Sequence, residues 1–166
     1  MRLEIVNDFS DEEFAAIGKL VWSFTVVEHE LARAAMWLRH ETASTANGSD
    51  IDDQLRKIMK ADLKGRFECF ITALRATGPD SGILAWIAEV TAWFSGASEV
   101  RNRVCHGNWR RLSSGLIAVR FFDRKSLVQE VELDYSPVTL AELAELSDSN
   151  LGWAKSISLV AGTATM

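Results

Sequence analysis

Apolar residues recur at steps of three and four along the first quarter of the chain, which predicts a long helix with one core-facing side. The series comprises Phe14, Ile17, Val21, Phe24, Leu31, Ala35 and Leu38. Ser10 and Glu13 have the spacing of a capping box, and Phe9 and Phe14 have that of a hydrophobic staple, so we expect this helix to begin near Ser10. The polar member of the series is Glu28. It is expected either to form a buried salt bridge or hydrogen bond with a facing helix, or to orient Arg101 or His106 at a site.

A second helical segment follows a loop of small polar residues at 41–50. Asp50 can cap this segment. Gly65 lies inside it and predicts a break into two shorter helices, and Gly78 with Pro79 predicts its end.

A third long helix is predicted from about Asp80 to Cys105, and its apolar stripe runs into a polar group. The stripe contains Ile83, Ile87, Val90, Phe94 and Ala97. The same steps continue to Arg101 and Val104, and Gly107 then predicts a stop. A guanidinium on a core-facing stripe is costly unless it is paired or has a function, so Arg101 is a candidate site residue.

Two short runs of β-branched and aromatic residues, 116–122 and 127–133, predict a β-hairpin at about 116–134. Pro137 and Thr139 are expected to start the last helix, where Thr139 and Glu142 form a second capping box. The fold class predicted is therefore all-α: an up-and-down bundle of four or five helices with a small β-hairpin before the last helix. We expect one domain spanning 1–166.

Charge is distributed unevenly along a chain whose formal net charge is −5. Residues 101–125 carry seven Lys or Arg against Asp123 alone, whereas the remaining residues carry eleven against twenty-two acidic residues. This basic segment includes Arg103, Arg110 and Arg111. Two interpretations remain open: a phosphate-binding surface, or a solvated, arginine-rich hairpin.

Several other function classes find little support in the sequence. The two cysteines, Cys69 and Cys105, form no C-x-x-C pair, which favours reduced thiols in a cytoplasmic protein. No apolar run approaches the length of a membrane span. His29 and His40 lack metal-ligand spacing, and no phosphate-binding glycine loop is present, so we expect no metal and no cofactor.

The segment from Arg101 to Trp109 reads Arg-Asn-Arg-Val-Cys-His-Gly-Asn-Trp. Its Arg101-Asn102-x-x-x-His106 resembles the R-x4-H motif of the HEPN-domain superfamily, and Gly107-Asn108-Trp109 is similar to the H-G-x-W continuation found in many members. The superfamily has an up-and-down helical bundle with the motif at the end of the third long helix. The resemblance therefore implies the same fold here.

The resemblance also implies an activity, which is metal-independent cleavage of RNA at a composite site formed by two protomers. Arg101, Asn102 and His106 would be catalytic, with Glu28 supporting them and Arg103, Arg110 and Arg111 binding substrate. Such a homodimer would act as a toxin or phage-defence ribonuclease and be restrained by an antitoxin or another protein partner. The alternative is a non-catalytic HEPN-like bundle that binds a nucleotide or a protein partner.

Helix geometry bears on how such a site is assembled. Arg101 and His106 are five residues apart and so point about 140° away from each other on an ideal helix, whereas Asn102 and His106 share a face. Either the helix is distorted near its end, or Arg101 of one protomer works beside His106 of the other. Simpler roles also remain open. His106 suits a helix C-terminus, and Arg101 has Glu28 and Glu99 as possible ion-pair partners.

Overall fold

In the computed structural model, five helices and a three-stranded antiparallel sheet make up the described part of the chain, which comprises residues 9–42, 53, 56–111, 116–120 and 136–164. The elements are α1 (Asp11–Thr42), α2 (including residues 56–60), α3 (Leu63–Ala76), α4 (Ser81–His106), β1 (Asn108–Arg111), β2 (Ile117–Arg120), β3 (Ser136–Val138) and α5 (Leu140–Thr163). The predicted helical bundle with a small β-element is thus confirmed.

The chain groups into two compact units. The first contains Met1–Phe24 and Glu99–Ser149, and the second contains Thr25–Ser98 and Asn150–Met166. Helices α1, α4 and α5 each contribute residues to both units.

The second unit contains a large cluster of buried apolar side chains. Phe70, Leu74, Val90 and Ile157 are fully buried in it, which is the expected result of apolar residues repeating every three or four positions. Phe67 of α3 stacks on Phe94 of α4 with ring centroids 3.9 Å apart. The apolar periodicity of α4 therefore correctly identified the face that packs into this cluster.

The first unit is built around the small sheet, in which β2 lies between β1 and β3. Asn108 of β1 pairs with Arg120 of β2, and Ile117 of β2 pairs with Val138 of β3. Ile117, Ala118 and Val119 of the central strand are all buried. The sheet follows α4 directly, so it determines the path of the chain that leaves the motif.

The β-region differs from the predicted hairpin in two ways. Residues 136–138 form the edge strand β3, whereas we expected Pro137 to start the last helix. An edge strand tolerates proline because the missing N–H need not pair. The first predicted strand is confirmed by β2, while the second, 127–133, lies outside the described residues. β1 was not predicted.

Apart from the start of α5, the helix boundaries agree with the sequence analysis except within the second segment. Its break lies at Ala61 and Asp62, and Gly65 is inside α3. Asp62 accepts a hydrogen bond from the Gly65 backbone N–H at 2.8 Å and so caps α3. A Cβ on Gly65 would lie 3.0 Å from the Ala61 Cβ. The glycine is therefore explained by close packing at the break.

Both predicted capping boxes are formed. In the first, the Ser10 backbone N–H donates to the Glu13 Oε2 at 2.7 Å, and the Glu13 N–H donates to the Ser10 Oγ at 3.3 Å. Phe9 and Phe14 make the expected staple contact at 5.4 Å between ring centroids. Phe14 is nevertheless 57% exposed, so its predicted place on the core-facing stripe was wrong. The staple holds it at the helix entry instead.

Candidate functional site

The candidate motif lies in the last turn and a half of α4, which is helical without interruption from Ser81 to His106. Arg101 is half-buried and Asn102 is exposed. The Arg101 Nη1 donates to the Asn102 Oδ1 at 3.4 Å, a long contact between neighbouring side chains. His106 is the final residue of the helix, one turn beyond Asn102. The regular helix gives no sign of the distortion that would bring positions 101 and 106 to one side.

A side chain from β1 joins the end of α4 to the sheet. The Trp109 indole Nε1 donates to the Val104 backbone carbonyl at 3.1 Å. The last carbonyl groups of a helix have no partner within the helix, and this hydrogen bond satisfies one of them. Trp109 also pairs with Val119 across the strands. The tryptophan of the motif therefore fixes the direction in which the chain leaves the helix.

Arg103 forms an exposed ion pair one helical turn back along α4. Its Nη2 lies 2.5 Å from the Glu99 Oε1, with 44% of the arginine side chain and 67% of the glutamate side chain exposed. Pairs of this kind contribute little to stability and rearrange easily. Arg103 is thus available to a polyanion that can displace Glu99. Arg110 is half-buried on β1.

Arg111 has a different environment at the end of β1. Its Nη2 donates to the Glu13 Oε2, and Glu13 is only 7% exposed. The backbone hydrogen bond from Ser10 lowers the pKa of Glu13, burial opposes that effect, and the Arg111 guanidinium lowers it further. Arg111 therefore joins the sheet to the first turn of α1. Arg111, for which the resemblance implies substrate binding, is thus already paired with a buried carboxylate.

Glu28 lies against α3 in the second unit. Its Oε2 is 3.8 Å from the Arg66 Nη1, and the Arg66 guanidinium also donates to the backbone carbonyls of Ala61 and Met59 at 3.0 and 3.2 Å. Both side chains of the ion pair are about one-fifth exposed. Glu28 thus forms an ion pair with another helix, and the pair is partly exposed where the sequence predicted a buried one. Sequence reasoning missed Arg66, because the break that it spans was placed at Gly65.

Two kinds of feature are absent from the described residues. Within residues 9–42, 53, 56–111, 116–120 and 136–164, no group of three or more His, Cys, Asp and Glu side chains is arranged to hold a metal ion. Across the same residues, no helix combines the length and the apolar character needed to cross a bilayer.

No family model, no curated protein and no solved structure matches this chain.

Proposed function

We propose that this chain is a metal-independent endoribonuclease of the HEPN type, acting as a homodimer in which two protomers form a composite site. The observation that carries the proposal is the position of Arg101 and Asn102, in contact with each other on the last turns of an unbroken helix that ends at His106. The proposal also rests on the resemblance of this segment to the HEPN motif. These residues also lie within the basic segment 101–125, which is consistent with a phosphate-bearing substrate.

The proposed chemistry uses residue types suited to cleavage next to a ribose 2′-hydroxyl. His106 takes the 2′-hydroxyl proton, the 2′-oxygen forms a bond to phosphorus, and the bond from phosphorus to the 5′-oxygen breaks. Arg101 stabilises the negative charge that builds on the phosphoryl oxygens. The leaving 5′-oxygen takes up a proton, so the products carry a 2′,3′-cyclic phosphate and a 5′-hydroxyl. Asn102 positions His106 or the substrate.

A composite site follows from the regular helix. On a regular helix, the side chains at positions 101 and 106 point about 140° apart around the axis. We therefore assign the Arg101 and the His106 that act on one phosphate to different protomers. We further propose a cytoplasmic location, in keeping with the free thiols of Cys69 and Cys105, and restraint of the enzyme by a partner protein acting as an antitoxin.

The test is cleavage of an end-labelled single-stranded RNA in EDTA. We expect wild-type protein to leave cyclic-phosphate ends, and Arg101→Ala and His106→Ala each to lose at least about a hundredfold in rate. Exposed residues of the same type provide matched controls, Arg75→Ala and His29→Ala, and both are expected to cleave like wild type.

Mixing the two inactive variants tests the composite site directly. A heterodimer of Arg101→Ala and His106→Ala protomers contains one intact site and one doubly impaired site. After complete exchange half of the dimers are mixed, so we expect recovery of about a quarter of the wild-type activity. No recovery despite demonstrated exchange would refute the composite site. No cleavage of any RNA by a folded dimer would favour the alternative, a HEPN-like bundle that binds a nucleotide or protein partner.

A further inference from the structure

A cavity of about 440 Å³ lies in the first unit, next to the candidate motif. Helix α4 contributes Val100, Arg103 and Val104 to its wall, and the sheet and the first half of α5 supply most of the other lining residues. A volume of this size is typical of small-molecule and cofactor sites. Arg103 lies only two residues beyond Arg101, so the cavity is within one helical turn of the motif.

The inner wall of the cavity is apolar and contains an aromatic ring. Leu20, Val104, Val119 and Leu143 are buried residues that line it. Trp109 is the aromatic member, and the hydrogen bond from its indole to the Val104 carbonyl fixes the ring. A fixed aromatic ring beside aliphatic side chains is suited to a flat ligand, because such a ligand can stack without ordering new side chains.

The rim of the cavity on α5 is polar and rich in hydrogen-bond acceptors. Glu142, Glu145 and Ser149 follow one another at steps of three and four, and all three line the cavity. The Glu142 carboxylate is bound to Thr139 in the capping box, at 2.7 Å from the backbone N–H and 2.8 Å from the hydroxyl. Within the described part of the chain, the Glu145 carboxylate has no hydrogen-bond or ion-pair partner. Its two oxygens are therefore free to accept from a ligand.

The charges of the rim select the kind of group that can enter. The two carboxylates of the rim repel a phosphate, so we expect the phosphodiester of the RNA to lie near Arg103 on α4. A planar group with N–H donors along one edge matches the carboxylate and can stack on Trp109. Single-stranded RNA offers such a group, because its unstacked bases can be turned out onto aromatic side chains and bound along their Watson–Crick edges.

We propose that this cavity binds one base of the RNA and that Glu145 selects guanine. Guanine places its N1–H and its 2-amino group side by side, so it can donate to both oxygens of one carboxylate. Uracil has a single N–H between two carbonyl groups, which would face the carboxylate unfavourably. The inference rests on the proposed function for its substrate class, but it concerns binding and can be tested without cleavage.

The test uses the His106→Ala variant, so that the RNA remains intact, and a short single-stranded RNA with one guanosine. The same RNA with inosine at that position lacks only the 2-amino group. We expect roughly tenfold tighter binding of the guanosine RNA by fluorescence anisotropy, as for one good base contact. Adding Glu145→Ala should abolish the difference. Adding Glu89→Ala, which removes an exposed carboxylate of α4 outside the cavity, should preserve it.

Equal affinity for the two RNAs, or discrimination that survives Glu145→Ala, would overturn the inference. Equal affinity is the result expected if the cavity instead takes an apolar side chain from a protein partner. The outcome is independent of the ribonuclease test. If wild-type protein cleaves RNA but does not distinguish inosine, the proposed enzyme stands and the guanine site falls. Discrimination without cleavage would retain the base-binding cavity on a non-catalytic bundle.

Discussion

Two glutamate–arginine pairs lie in the first unit, and their surroundings assign them different roles. Glu13 is 7% exposed and joins the first turn of α1 to Arg111 at the end of the sheet. Glu99 and Arg103 lie on one exposed helix face, with 67% and 44% of their side chains accessible. The residue types are the same, but the first pair links distant parts of the chain and the second joins neighbouring turns of one helix.

The comparison separates two arginines that the sequence analysis grouped together. The basic segment placed Arg103 and Arg111 together as candidate phosphate ligands. A half-buried guanidinium that holds a buried carboxylate is committed to the fold, because releasing it would leave that carboxylate unpaired. An exposed pair loses little when an incoming phosphate replaces the glutamate. Burial of the glutamate partner therefore distinguishes Arg111 from Arg103.

Replacing the buried member should have the largest effect on stability. We expect Arg111→Ala to lower the free energy of unfolding by about 2–3 kcal/mol, because Glu13 loses a charged partner while remaining buried; this is less than for a fully buried pair, since Arg111 is 26% exposed. Urea unfolding followed by circular dichroism provides the measurement. A loss below about 0.5 kcal/mol, the range of exposed pairs, would remove the distinction.

The same pair should make stability depend on pH. The pKa of Glu13 in the folded protein is below its ordinary value of 4.5, chiefly through the Ser10 backbone hydrogen bond. Its stabilising contribution is therefore fully present above pH 4.5 and is lost as the pH falls through the folded-state pKa. We expect the free energy of unfolding to fall less between pH 6 and pH 3 in Glu13→Gln than in wild type.

Glu99→Gln is the matched variant for the pH measurement, since it removes the carboxylate of the exposed pair. It should follow the wild-type pH dependence closely. Glu142, whose pKa is lowered by its hydrogen bonds to Thr139, contributes in the same direction in every variant. The difference between Glu13→Gln and wild type therefore isolates Glu13. Parallel curves for these two proteins would contradict its assignment as a buried, ionised partner.

The sequence was sufficient to predict local features. Both capping boxes, the end of α4 and its apolar face follow from spacing along a few helical turns. Contacts between distant segments were not predictable in this way. Arg111 and Glu13 are 98 residues apart, and the partner of Glu28 is an arginine on another helix. Nothing in the local pattern around any of these residues specifies its partner.

The small strands show the same limit. β1 contains Trp109 and three polar residues, so no alternation identified it, and its strand conformation depends on pairing with β2. β3 is three residues long and contains a proline. Proline is common at the first position of a helix and is also tolerated on an edge strand, and the sequence alone does not distinguish the two. The cavity beside the motif could not be anticipated, because it is formed by α1, α4, α5 and all three strands.

The exposed pair should matter for RNA binding and hardly at all for folding. If Arg103 contacts a phosphate, Arg103→Ala should weaken binding of single-stranded RNA a few-fold for all sequences, while the free energy of unfolding changes by less than about 0.5 kcal/mol. The slope of log affinity against log salt should become shallower by about 0.7, the value for one phosphate contact on a single strand. An unchanged slope would exclude a phosphate contact.

The smallest expected effect has the opposite sign and separates competition from simple charge. Glu99 holds Arg103 at 2.5 Å, so RNA must displace it before the guanidinium can reach a phosphate. Glu99→Gln weakens that competitor and should raise RNA affinity by about twofold, consistent with the small energy of an exposed pair.

Glu89→Gln removes the same negative charge from another exposed position of α4 and serves as the control. If both variants bind more tightly by the same factor, the gain reflects net charge alone. A gain confined to Glu99→Gln would mean that Glu99 competes with RNA for Arg103. Glu13, in contrast, stays paired with Arg111 in the folded protein.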